Sequence, residues 1–101
     1  MNKSDLIVIA RARAQRGKET DLEKALRDVA APTRMQRGCL DFSLYRSQQD
    51  GAVIVGVERW ASAEEHNRHL QGPHVQKLMA AMSGILAEPP EIIPYEIIDE
   101  L

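Results

Sequence analysis

The sequence is poor in the residue types that mark several large functional classes. It has one cysteine, Cys39, which excludes an internal disulfide and a multi-cysteine metal site. Aromatic residues are 4% of the chain. No apolar run is long enough to cross a bilayer, and no stripe of basic residues offers a surface for binding the phosphates of a nucleic acid. The first residues also lack the pattern of a signal peptide. These absences predict a cytoplasmic protein that binds neither nucleic acid nor membrane.

What the chain does contain is the composition of an ordinary globular domain. Hydrophobic residues make up 44% and charged residues 28%, and the net charge of -2 comes from interspersed charges of both signs. A chain of 101 residues is long enough for one hydrophobic core. We therefore expect a single domain over residues 1–101.

Hydrophobic patterning predicts four strands separated by helical segments. An amphipathic helix that begins near Lys18 or Thr20 and ends before Cys39 follows the first strand, and its apolar face runs from Leu22 to Ala30. Asp50-Gly51 predicts a hairpin between the second and third strands. After the third strand, a capping box over 62–65 opens a short helix, and Pro73 opens another whose apolar stripe runs through Leu86. The predicted strands are Leu6–Arg13, Cys39–Ser47, Ala52–Trp60 and Glu91–Asp99.

The element order β-α-β-β-α-β is that of a ferredoxin-like, split βαβ domain of the α+β class. Such a domain has a four-stranded antiparallel sheet with its helices on one face. The strands are apolar on both faces, so the face without helices needs a cover, and a second copy of the chain is the simplest one. This predicts a homodimer. Pro94 cannot donate a ladder hydrogen bond, which places the last strand at a sheet edge or at a bend.

Four segments of the chain together match the motifs of a known family. They are Gly17-Lys18-Glu19, Ala31-Pro32-Thr33-Arg34 with Gly38-Cys39-Leu40, Glu58-Arg59-Trp60, and His69 with Pro73-His74. In this order and spacing they resemble the antibiotic biosynthesis monooxygenase family, and the resemblance covers about Ile7 to Tyr95. It implies a dimeric α+β barrel and, for part of the family, oxidation of polycyclic phenols and quinols by dioxygen without a cofactor. Other members degrade haem or process a small signalling sugar derivative.

The haem-degrading branch does not fit this sequence. Its asparagine, tryptophan and histidine would align with Ala10, His69 and Met79, and none of these matches. The polar group and the axial imidazole which that chemistry uses are therefore missing. Haem degradation is disfavoured for this chain.

The three histidines, His66, His69 and His74, lie within nine residues of one another. A metal site is disfavoured because no carboxylate or cysteine is an obvious further ligand and the Gly72-Pro73 break separates His74 from the other two. In an organic pocket, His69 or His74 would act as the catalytic base that takes a proton from a phenol or hydroquinone. The resulting anion can react with dioxygen without flavin or metal. Helix capping is the structural alternative for both residues.

Four further residues are predicted to contact a substrate: Trp60, His66, Met79 and Phe42. Core packing is the alternative for Trp60 and Met79, and a hydrogen-bonded structural role is the alternative for His66. Glu58 shares a strand face with Trp60, and we interpret it as an ion-pair residue, with Arg34 or Arg59 as its partner.

The sequence thus predicts a cofactor-independent monooxygenase that oxidises a phenolic or quinol-like molecule. The alternative is a non-oxidative binding or isomerising domain for a hydrophilic carbonyl or sugar-like ligand, since one fold hosts unrelated functions. An apolar cavity with one or two imidazoles favours oxidation, and several converging polar groups favour the alternative.

Overall fold

The computed structural model describes residues 4–100 and confirms the predicted fold class. Its antiparallel sheet has the strand order β2-β3-β1-β4. Strand β4 therefore lies at an edge, as Pro94 predicts. The elements are β1 (Leu6–Arg13), α1 (Glu19–Arg34), β2 (Cys39–Arg46), β3 (Val53–Trp60), α2 (Ala63–Leu70), α3 (Pro73–Met82) and β4 (Glu91–Glu96).

The ends of α2 and α3 follow local sequence signals, with one difference from prediction. Ser62 caps α2 by accepting a hydrogen bond from the backbone N–H of Glu65, and proline occupies the first turn of α3. Helix α3 ends at Met82, although its apolar stripe predicted a helix as far as Leu86. Beyond Met82 the chain turns back to the sheet, where Leu86 forms a bridge with Ala14.

The two faces of the sheet differ in what covers them. Positions Val8, Ile54 and Trp60 alternate along their strands on one face and are buried there against the helices. The opposite face, which we call the open face, has no helix packed on it among the described residues. It carries Ile7, Ile9, Val55, Val57, Ile93 and Tyr95, and of these Ile93 and Tyr95 are 40% and 45% exposed.

The hydrophobic core lies between the helices and the covered face. One cluster joins Leu22, Ile54 and Met82, and a second joins Val29, Phe42 and Val75. No helix in the described residues is long and apolar enough to cross a membrane.

Candidate functional site

A cavity of about 70 Å³ lies between the helices and the covered face of the sheet. Most of its wall is apolar, and the polar side chains among its described lining residues are Glu58, His66, His69 and Arg11. The volume is small beside the roughly 300–1,000 Å³ of typical ligand pockets. A single-ring ligand would therefore have to widen it. The apolar lining residues include Leu26, Val29, Phe42, Leu44, Leu70, Val75, Leu78, Met79 and Met82.

A close approach at Gly38 positions α2 beside the turn that follows α1. Gly38 has a φ of +87°, which favours glycine, and a Cβ added there would lie 2.4 Å from Cγ of Glu65. The carbonyl of Gly38 also accepts a hydrogen bond from the backbone N–H of Ala61 at 2.8 Å. The glycine thus lets the histidine-bearing helix pack close to Gln36.

The side chain of Gln36 joins two of the histidines. Its Oε1 lies 2.5 Å from Nδ1 of His69 and 3.2 Å from Nε2 of His74. Because a carbonyl oxygen only accepts, both of these ring nitrogens carry hydrogen in this arrangement. In the neutral ring of His69, Nε2 is then the nitrogen that can accept a hydrogen bond or a proton.

His69 is a buried, neutral imidazole at neutral pH. Only 5% of the residue is exposed, and desolvation, helped by the neighbouring His66 and His74, lowers its pKa from 6.5 to about 4. Its ring packs against Trp60 with centroids 4.7 Å apart. Packing and the hydrogen bond to Gln36 together fix the orientation of the ring.

His66 brings an unsatisfied polar atom to the same cavity. The residue is 7% exposed, and its Nε2 has no hydrogen-bond partner within residues 4–100. Burial lowers the pKa of His66, so this ring is also neutral at neutral pH. A buried polar atom left unpaired costs about 1–3 kcal/mol. A water molecule or a ligand bound in the cavity would remove that cost.

Glu58 is a buried carboxyl group whose partner is an indole. Its Oε1 accepts a 2.8 Å hydrogen bond from Nε1–H of Trp60, and burial raises its pKa although this hydrogen bond opposes the shift. The predicted ion pair is wrong. Arg34 donates instead to the backbone carbonyl of Phe42, while Arg59 pairs with carboxylates on the other side of the sheet.

The structure brings together most of the predicted site residues. The side chains of Phe42, His66, His69 and Met79 line the cavity, although their contact with a substrate stays a prediction. Trp60 is fully buried behind the two histidines and is not part of the lining.

His74 lies outside the cavity, in a surface groove between α1 and α3, and reaches the site only through Gln36. Sequence reasoning missed Gln36, for which no local signal exists. It also missed the burial of Glu58, which its alternation with Trp60 on the covered face would have indicated.

Two other kinds of site are less well supported by the geometry. Within the described residues, no three His, Cys, Asp or Glu side chains are grouped so that they could hold a metal ion. A larger groove of about 350 Å³ lies between α1 and β2. It contains Glu23, which pairs with both Arg27 and Arg46, and its lining also includes Arg34, so its surface is polar and carries more positive than negative charge. The smaller apolar cavity is the better site for an aromatic ligand.

Comparison with known families gives a match over most of the chain. The model of the family described as "Antibiotic biosynthesis monooxygenase" matches residues 5–81. The matched segment contains all the described residues that line the cavity except Met82 and two residues near the start of β4, Pro90 and Ile92.

Individual relatives share both sequence and fold with this chain. The Mycobacterium tuberculosis protein named "Putative monooxygenase Rv0793" is 30% identical over 97 residues, which are 96% of this chain and 95% of the relative. Its solved structure superposes with a TM-score of 0.90 and covers 96% of this chain and 98% of its own. PA3566 from Pseudomonas aeruginosa is 25% identical, with a TM-score of 0.89 and coverage of 95% and 96%.

Proposed function

This chain belongs to the antibiotic biosynthesis monooxygenase family, and from that premise we propose that it is a cofactor-independent monooxygenase acting on a phenolic or quinol-like small molecule. The observation that carries the proposal is the apolar cavity with a buried, neutral imidazole in its wall. The named relatives support a monooxygenase in general terms. The phenolic substrate and the use of dioxygen are part of the proposal.

The apolar wall suits an aromatic ring, and the histidines suit its hydroxyl group. His69 would accept the hydrogen of the hydroxyl at Nε2, because its Nδ1–H is already engaged with Gln36. The unpaired Nε2 of His66 would form a hydrogen bond with the same substrate or with a bound water. His74 would act through Gln36, as a residue that fixes the position of His69.

The reaction needs no external reductant. Removal of the hydroxyl proton leaves an electron-rich anion that can attack dioxygen through its para carbon. One molecule of a phenol and one of dioxygen then give one para-quinone and one water. One oxygen atom becomes the new carbonyl, and the other leaves with the two hydrogens that the substrate has lost.

We also propose that a second copy of the chain covers the open face. That face exposes Ile93 and Tyr95 beside the half-buried Ile9 and Val57. Apolar patches of this kind on soluble proteins commonly mark an interface. A symmetric dimer would bury the same patch on both copies. The cytoplasmic location stays a prediction.

The experiment measures dioxygen consumption by metal-free protein with 2,6-dimethylphenol, whose ortho positions are blocked and whose para carbon is open. We expect 2,6-dimethylbenzoquinone to form with one dioxygen consumed per quinone. 2,6-Dimethylanisole, which has no hydroxyl hydrogen, is the matched control and should give no product. No dioxygen consumption above the protein-free rate, with this phenol and with a panel of hydroquinones, would contradict the proposal.

A second candidate function has one specific observation in its favour. Four polar side chains, those of Arg11, Glu58, His66 and His69, line the cavity, and Nε2 of His66 has no hydrogen-bond partner among the described residues. Such a site would also fit a hydroxycarbonyl ligand that is bound or isomerised without oxidation. Anaerobic binding of a small hydroxyketone, together with no dioxygen uptake from any phenol, would favour this candidate.

A further inference from the structure

The proposed oxidation removes two hydrogens from the substrate at two different atoms. One leaves the hydroxyl oxygen, where His69 accepts it, and the other leaves the ring carbon that has bound dioxygen. We propose that Glu58 is the catalytic base that removes this second hydrogen and thereby expels water from a hydroperoxide bound in the cavity. The place of Glu58 in the oxidation rests on the proposed function, but the elimination step can be tested without any oxidation of a phenol.

The geometry puts one oxygen of Glu58 at the cavity and anchors the other. Oε1 accepts the hydrogen bond from Nε1–H of Trp60 at 2.8 Å, which holds the carboxyl group in place. Oε2 lies 3.9 Å from the position that a Cβ at Gly56 would occupy, and Gly56 itself lines the cavity. Because glycine has no side chain, the floor of the cavity is open beside this oxygen.

The position of Glu58 on the sheet complements that of the histidines. Glu58 is on β3, whereas His66 and His69 are on α2, and all three line the same cavity. A ring held between the sheet and the helices would therefore meet a carboxyl group on one wall and imidazoles on the other. The hydroxyl oxygen and the para carbon of a phenol lie at opposite ends of its ring, which matches this division.

No cation neutralises this carboxyl group among the described residues. Arg11, which also lines the cavity, pairs with Glu88 and Glu91 at 3.7 Å. Structural carboxylates are normally paired, as Asp5 is with Arg59 in this chain. A buried carboxyl group with only an indole donor is thus available to react with a ligand.

Burial acts in opposite directions on the carboxyl group and on the imidazoles of the cavity. It raises the pKa of Glu58, whereas it lowers the pKa of His69 to about 4 and also lowers that of His66. A raised pKa makes the carboxylate of Glu58 a stronger base than an exposed carboxylate. This is the direction that removal of a hydrogen from carbon needs.

The step balances in atoms and electrons. The carboxylate of Glu58 takes the hydrogen from the carbon that carries the –OOH group, and the C–H electron pair becomes the second bond of a new carbonyl. The O–O bond breaks, the distal oxygen leaves as hydroxide, and the carboxylic acid returns its proton to give water. The hydroperoxide is the oxidant, and no other reactant is consumed.

The test supplies the hydroperoxide directly. Protein without dioxygen is mixed with 1-phenylethyl hydroperoxide, whose elimination gives acetophenone and water. We expect the unmodified protein to accelerate this conversion, and the Glu58→Gln variant to be at least about 100-fold slower. Glutamine still accepts the hydrogen bond of Trp60 and adds no buried charge, so the variant should fold. Its circular dichroism and the fluorescence of Trp60, the only tryptophan in the chain, check this.

Glu64→Gln is the matched control, because Glu64 is an exposed residue of α2, and its rate should equal that of the unmodified protein. A folded Glu58→Gln variant within about twofold of the unmodified rate would overturn the proposal. So would an unmodified protein that adds nothing to the buffer rate. No dioxygen takes part in this test, so its result is independent of the monooxygenase assay. Elimination without any phenol oxidation would support the role of Glu58 and reject the monooxygenase. Phenol oxidation without elimination would support the monooxygenase and reject the role of Glu58.

Discussion

Glu58 and Arg59 are consecutive residues on β3, yet their side chains lie in environments that differ in whether a charged partner is present among the described residues. Arg59 points to the open face, where Asp5 accepts from its Nε at 2.9 Å and Glu100 from both terminal nitrogens. Glu58 points to the covered face, where its described partner is the indole of Trp60. Full pairing holds a charge in a structural role, whereas a buried group without a counter-charge keeps its reactivity. From this comparison we expect the proposed chemistry to take place on the covered face.

The largest expected effect tests that assignment through His69. We expect His69→Asn to slow the oxidation of 2,6-dimethylphenol by about 10²–10⁴-fold, because the hydroxyl hydrogen loses its acceptor. The measurement is the rate of dioxygen uptake at saturating phenol. Asn67→Ala, at an exposed position of the same helix, should leave the rate unchanged. A His69→Asn variant as fast as the unmodified protein would place the chemistry elsewhere.

The next effect is a pH dependence of stability that comes from the covered face. The folded pKa of His69 is about 4 against an ordinary value of 6.5, so the unfolded chain binds protons more readily between these pH values. Stability is therefore fully present above about pH 6.5 and is lost as pH falls toward 4. At about 1.4 kcal/mol per pH unit, the contribution of His69 to the free energy of unfolding falls by roughly 3 kcal/mol between about pH 6.5 and about pH 4.

Urea unfolding at pH 7 and pH 4 measures this loss. The His69→Gln variant should lose less stability over the same interval, since glutamine does not titrate. Glu58 acts with the opposite sign: its raised pKa means that its contribution is present at low pH and falls as pH rises through the folded pKa. Equal losses in the unmodified protein and the His69→Gln variant would contradict the burial of a neutral imidazole.

The third prediction compares one aromatic residue from each face. Trp60 is fully buried and donates to Glu58, whereas Tyr95 is 45% exposed on the open face. Trp60→Phe should lower the free energy of unfolding by about 2 kcal/mol or more, because Glu58 loses its donor and the core loses volume. Tyr95→Phe should change it by less than about 0.5 kcal/mol. Similar losses for both variants would remove the distinction between the faces.

The fourth prediction concerns the open face alone. Val57 is near its centre, on an inner strand of the sheet. Val57→Glu would place two like charges in the proposed dimer interface, and we expect self-association to weaken at least about tenfold. Sedimentation of both proteins over a range of concentrations measures this, with Val57→Ile as the apolar control. An unmodified chain that sediments as a monomer at every concentration would reject the dimer.

The smallest expected effect is at the floor of the cavity. A Cβ at Gly56 would contact Leu44, Ala10 and Glu58 at 3.6–3.9 Å, which is ordinary packing distance. Gly56→Ala should therefore fold normally while narrowing the cavity beside Glu58. We expect KM for 2,6-dimethylphenol to rise a few-fold with little change in thermal stability. Gly51→Ala, at an exposed turn where no atom of the described residues lies within 4 Å of the added Cβ, should leave KM unchanged.

Much of the fold could be predicted from the sequence because its signals are local. The capping serine of α2, the proline of α3 and the Asp50-Gly51 turn act over a few residues, and alternation along each strand assigns its two faces. The end of α3 could not be predicted in this way. The chain after Met82 is apolar enough to continue the helix, but it bonds to the sheet instead.

The site was less predictable because its contacts join distant parts of the chain. Gln36 and His69 are 33 residues apart and are in contact only because Gly38 lets α2 pack closely. Local spacing grouped the three histidines correctly but did not indicate that His74 lies outside the cavity. Nor did it separate Glu58, which has no counter-ion within residues 4–100, from Arg59, which has two.

A crystal structure of the protein with 2,6-dimethylbenzoquinone, the stable product of the proposed reaction, tests the account most directly. We predict that the ring lies between the sheet and α2, with one oxygen within hydrogen-bond distance of Nε2 of His69 and the other end of the ring against Glu58. A quinone bound only in the groove between α1 and β2, or a cavity that stays closed at saturating quinone, would contradict it.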